Sequence, residues 1–208
     1  MPRTIIRMSC LTAFLLAASF ALAQTEFSAE IVDTMKPDNQ NRAKIYFAKD
    51  KMRVESTASN AQGMGGAVVI NFDTQTSIVL MDKQHMYMEI PAQMAGQRAA
   101  YNFFRTGDAD AACADWLQQA KNKGGSCHKV GSDTVNGRST VKYEGANSSG
   151  DTSTFWIDPK LRFPVKWQGK NNGGELRNIQ EGSQPSSLFE IPVGYTKMDM
   201  GGMMQRPQ

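Results

Sequence analysis

The sequence predicts a mainly β protein of α+β type. We expect a curved antiparallel sheet or unclosed half-barrel of about eleven strands, with two short helices over its concave face. Three observations lead there. Apolar and polar residues alternate in short runs along most of the chain, as in AKIYFA (43–48) and KMRVES (51–56). Short turns rich in Gly, Asn, Asp and Pro join the runs, so neighbouring strands should pair antiparallel as a meander. Only the stretch 92–123 breaks this pattern in favour of helix.

The elements follow in order. Arg3 and Arg7 precede an apolar run from Leu11 to Leu22, and Ala21-Leu22-Ala23 offers small residues for cleavage before Gln24. The run is shorter than the about 20 residues a spanning helix needs, so residues 1–23 are expected to be a cleaved signal peptide. Cys10 lies ahead of the apolar run, where lipoprotein-type cleavage could not use it. The mature protein should therefore be periplasmic or secreted. Losing the two arginines lowers the formal charge of +3 by two, which leaves no electrostatic footprint for nucleic acid.

EFSAEIVDT (26–34), AKIYFA and KMRVES open the sheet; GAVVINF, TSIVLM and HMYMEI continue it across Asp73-Thr74-Gln75 and Asp82-Lys83-Gln84. A first helix is expected over 92–104, which is rich in Ala and Gln. A second should start at Asp108 and place Ala109, Cys113, Trp116, Leu117 and Ala120 on one face, with Gly124 ending it. Strands then resume through SCHKVGSD, GRSTVKYEG, TSTFWID, RFPVKWQG and GELRNIQEG, with Asn136-Gly137 as the tightest turn. SSLFEIPVGY reads as an edge element, because Pro192 could not serve a central strand. Residues 24–197 thus form one β domain, and 198–208 a flexible Met-rich tail.

Two cysteines remain after processing, Cys113 and Cys127. In an oxidising compartment they are expected to form a disulfide that closes a loop worth roughly 3 kcal/mol. Catalytic signatures are missing from the pattern. The chain holds two histidines, His85 and His128, and no GxSxG or HExxH, so no enzyme, cofactor or metal centre is predicted. QGMGGA (62–67) joins strand to strand and reads as a hairpin tip rather than a phosphate cradle. The Met-rich tail leaves a second function class open, a thioether site for Cu(I). A third is an envelope interaction module that pairs through an exposed strand edge.

The hairpin FWIDPKLRFPVKW (155–167) raises the remaining question. Phe163, Val165 and Trp167 share one face, while its partner strand has apolar bulk on both faces. Core packing and a ligand-lined hollow explain this equally well. Met81, Met86, Met88 and Met94 pose the same choice, as gap fillers or as a surface that repacks around variable apolar ligands.

The order of AKIYFAKDKMRVE, IVLMDKQHMYMEIP, a helical insertion, VGSDTVNGRSTVKYE, WIDPKLRFPVK and SSLFEIPVGYTKM resembles the DUF4412 domain family. That family looks like a distant relative of the periplasmic lipoprotein carriers LolA and LolB. The resemblance implies an unclosed barrel whose hollow receives lipid or lipoprotein acyl chains, with 92–123 as its lid. The protein would then act as a monomer with transient membrane or envelope-protein contacts. The implied lining is Ile45, Phe47, Met86, Met88, Ile90, Val141, Tyr143, Phe163, Val165 and Trp167, and Arg53 would latch the lid.

Overall fold

Alternation at period two gives each strand one apolar and one polar face, and a sheet built from such strands must cover the apolar one. The computed structural model describes residues 24–36, 43–56, 66–91, 111–119 and 122–198. It shows one twelve-stranded unclosed sheet. The strands are β1 (Phe27–Asp33), β2 (Ala43–Ala48), β3 (Lys51–Ser56), β4 (Gly66–Asn71), β5 (Thr76–Met81), β6 (Met86–Pro91), β7 (Ser126–Val135), β8 (Arg138–Ala146), β9 (Thr152–Asp158), β10 (Phe163–Gly169), β11 (Gly173–Glu181) and β12 (Thr196–Lys197). Their spatial order is β12-β6-β5-β4-β3-β2-β1-β11-β10-β9-β8-β7. Two antiparallel meanders, β1–β6 and β7–β11, are thus joined where β1 pairs with β11.

The count exceeds the expected eleven because the closing segment adds β12, a two-residue strand parallel to β6 at the sheet's edge. The only α-helix among the described residues, α1, spans Ala112–Gln118. It is shorter than the sequence suggests. The chain turns extended at Gln119, and the buried Asn122 donates its side-chain amide to the Trp116 carbonyl at 2.9 Å, satisfying one of the helix's last acceptors. The expected helix over 92–104, the expected cap at Asp108, the expected signal peptide 1–23 and, apart from Met198, the expected tail 198–208 lie outside the described residues.

Register assigns the faces. Phe27, Ile45, Met52, Val54 and Ile70 share the inner face, and the rings of Phe27, Phe47 and Phe163 meet there at 5.2–5.5 Å between centroids. The outer face of the first meander is also apolar in part. Ala67, Val69 and Leu80 bury themselves there against Phe189, which the segment after β11 brings across. Asn136 and Gly137 adopt positive φ (49° and 79°), the type I′ geometry that tight hairpins require.

The β9–β10 turn explains the DPKLR stretch. Asp158, 2% exposed, accepts from the backbone N–H of Lys160 (2.8 Å) and Leu161 (3.0 Å) and from the Arg138 guanidinium. Trp156, on the outer face, donates its indole N–H to Asp133 at 2.8 Å and has the Lys142 and Lys166 ammonium groups over its ring. That hydrogen bond, with lesser help from the Thr134 N–H, holds the Asp133 carboxyl below its ordinary pKa. The second aromatic of FWI is therefore accounted for without a ligand.

Candidate functional site: an apolar cleft beneath a short helix

Seven residues are too few for a helix to persist alone in water, so α1 depends on what it packs against. Three contacts fix it to the inner face. Cys113 forms a disulfide with Cys127 on β7, with the Cα atoms 5.4 Å apart. Ala112 and Trp116 are buried against Tyr143, Phe155 and Ile157. The Trp116 ring stacks on Phe155 at 6.2 Å, and Phe155 stacks on Tyr143 at 5.2 Å. Burial on α1 pushes the Asp115 carboxyl above its usual pKa.

Two glycines seat the two tryptophans of this face. A Cβ on Gly145 would lie 2.7 Å from the Trp116 ring, and one on Gly174 would lie 2.4 Å from the Trp167 ring. Both distances are far inside van der Waals contact, so each indole occupies space that only glycine leaves open. Gly145→Val should therefore lift Trp116 from its seat while leaving the sheet's own register intact. We expect the Trp116 emission to move to longer wavelength, with a stability loss of about 1–3 kcal/mol. Fluorescence of the variant in a Trp156→Phe, Trp167→Phe background measures it; unchanged emission would contradict the seating.

Between α1 and the sheet lies a cleft of about 400 Å³. Its apolar part is made by Ile31, Ile45, Met52, Val54, Phe163 and Leu176, with Trp116, Phe155 and Trp167 bordering it. Its polar residues are Gln119, Ser153, Thr154, Gln168 and Asn172. The volume falls in the roughly 300–1,000 Å³ range of small-ligand sites, and the lining is mostly apolar with few polar groups, as such sites are.

The structure gathers three of the ten expected lining residues at this cleft, Ile45, Phe163 and Trp167. Phe47 and Val165 lie beneath it in the main core, and Val141 and Tyr143 pack against α1. Met86, Met88 and Ile90 sit on β6, on the same face as Val79 and Ser77 but near the opposite edge of the sheet, and do not border the cleft. Ile31, Met52, Val54, Leu176, Phe155 and Trp116 complete it. Their signal was present as strand alternation and as the apolar face of the helix. Arg53 takes the other face of β3. Its guanidinium donates to the Leu188 carbonyl at 2.9 Å and to Glu55 at 2.7 Å, so it ties the closing segment to the outer face.

His128 lies 4.0 Å from Glu144, and His85 meets the edge of the Tyr195 ring. Among the described residues no group of three or more His, Cys, Asp or Glu side chains could hold a metal ion. Of the Met-rich stretch only Met198 is described; its backbone N–H donates to the Tyr87 carbonyl.

Comparison with known proteins agrees with this geometry at the level of fold. No curated protein matches the chain. An uncharacterised conserved protein from Thermus thermophilus superposes with a TM-score of 0.55 at 10% identity, over 85% of this chain and 91% of that one. MucB superposes with a TM-score of 0.50 at 14% identity, over 83% of this chain and 59% of MucB. A LolA superfamily protein from Nitrosomonas europaea covers 80% of this chain and 90% of its own at 11% identity, with a TM-score of only 0.34. The match over residues 30–162 places the chain in the family described as "Domain of unknown function (DUF4412)".

Proposed function

We propose that the protein is an exported, non-catalytic binding protein that holds an apolar or acyl-chain ligand, a lipid or the acyl chain of a lipoprotein, in the cleft under α1. The observation that carries this reading is the cleft itself: an opening of about 400 Å³ over Ile31, Ile45, Met52, Val54 and Leu176, roofed by Trp116. A well-packed sheet-and-helix core would have closed such a space with its own side chains. Binding would then be by burial, at about 0.8 kcal/mol for each methylene taken out of water. Entry would be governed by α1, which covers the cleft among the described residues and is held by the Cys113–Cys127 disulfide and by the burial of Ala112 and Trp116. The Cys113–Cys127 bond supports an oxidising compartment, hence an envelope or extracellular location. The motif order resembles the DUF4412 family, which looks like a distant relative of the lipoprotein carriers, and that agrees with the reading.

Native mass spectrometry of protein purified from its own envelope should show co-purifying lipid. After lipid removal, a fatty acyl probe brominated along its chain should quench Trp116 and Trp167 and spare Trp156, which faces the other side of the sheet. Absence of a lipid mass together with absence of quenching confined to those two indoles would remove the proposal.

A further inference from the structure

The chemistry at one end of the cleft says more about the ligand, and it builds on the binding function just proposed. Register sets Ser153 opposite Gly169 at the open ends of β9 and β10, on the cleft face with Phe155 and Trp167, while the neighbouring Thr154–Gln168 pair turns its side chains to the other face, with Trp156. The Asn172 carboxamide lies beside Ser153 and Gly169 in the following turn, where the Asn172 backbone carbonyl accepts the Gly169 N–H. Gln119 joins them from the C-terminal end of α1. The opposite end, toward β3, is apolar. Among the described residues, no ionisable side chain borders the cleft. Nearby at the polar end, Lys170 and Asp151 are bound to each other at 3.0 Å, so neither sign dominates.

Carboxamides, hydroxyls and peptide groups each donate and accept hydrogen bonds. They match a partner that also does both. A carboxylate offers acceptors only and an ammonium donors only, and neither finds a counter-charge among the described lining residues, where an unpaired charge is strongly disfavoured. We propose that the cleft selects amphiphiles whose polar end is uncharged and bears hydroxyl, ester or amide groups, in preference to fatty-acid anions and cationic amphiphiles.

The test titrates the full delipidated chain with three probes of one acyl length: 1-monomyristoylglycerol, myristate and tetradecylammonium. Intrinsic fluorescence is followed at about pH 8, where the carboxylic acid is ionised. Monomyristoylglycerol is expected to bind about tenfold or more tighter than either ion. Asn172→Lys, an exposed position in the turn at the rim, should narrow the gap by strengthening myristate and weakening tetradecylammonium. Myristate or tetradecylammonium binding as tightly as the glyceride in the native protein would overturn the selectivity and leave acyl binding in place. No response to any of the three would bring down both.

Discussion

Arg138→Met is expected to be the most destabilising single substitution on the sheet, at about 3 kcal/mol by urea unfolding. Arg138 opens β8 and binds two carboxylates at once, the buried Asp158 and, at 2.8 Å, Glu181. Burial works against its charge, yet the hydrogen bonds it donates to both acids outweigh that and leave its pKa above the ordinary value. Methionine keeps the volume and removes the charge, so Asp158 stays in place with two backbone donors and no cation. Those donors put the loss near the lower end of what a broken buried pair costs. Arg138→Lys should recover part of the stability, since an ammonium restores charge without the two-pronged geometry.

The same contact has a pH signature. Hydrogen bonds from Lys160 and then Arg138 hold the Glu181 carboxyl below its ordinary pKa of 4.5. A carboxyl lowered on folding contributes stability above its unfolded pKa and loses it as pH falls through the folded one. The native protein should therefore lose stability on acidification below about pH 4.5, and Arg138→Met should lose less over that range. A methionine variant within about 1 kcal/mol of native, or one with an unchanged acid limb, would refute the assignment.

Replacing Cys113 and Cys127 together by serine should cost a similar amount, about 3 kcal/mol for a loop of this length. The larger consequence is local. α1 spans a turn or two, so without the bridge to β7 its attachment rests on Trp116 and Ala112. The double variant should keep the sheet's far-ultraviolet signal, lose slow amide exchange in 112–118, and bind acyl probes with faster dissociation. Hydrogen exchange read by mass spectrometry distinguishes the two effects. Equal protection of 112–118 with and without the bridge would show that the indole alone holds the helix.

Much of the architecture could be read from local pattern. Period-two alternation assigned the strands, short turns made them meander, Asn136-Gly137 announced its own hairpin, and Cys113 and Cys127 paired as expected. The cleft was less legible, for a physical reason. Alternation tells which face a residue takes but not which part of a twelve-stranded face lies under a seven-residue helix. Met86, Met88 and Ile90 have the right face and the wrong edge; Met52 and Val54 have the right face at the centre. Arg53 shows the converse. Its alternation with Met52 and Val54 already put it on the other face, where the segment carrying Leu188 and Phe189 needed an anchor. The glycine seat of Trp116 could not be foreseen, since it depends on a helix remote in the chain from Gly145; that of Trp167 lies across the next hairpin, where Trp167 pairs with Gly174, and alternation alone does not mark it.

The seam between β1 and β11 sets the order in which this molecule can be built. Phe27 and Glu181 are neighbours, so the first strand among the described residues waits for the last long one before its free edge is satisfied. Local hairpins can form early, but closing so distant a contact carries a large entropic toll and places the chain among slow, millisecond-to-second folders. Until that moment Phe27, Ala29 and Ile31 stand open to water beside an unpaired edge, the condition in which a nascent chain aggregates unless a chaperone shields it.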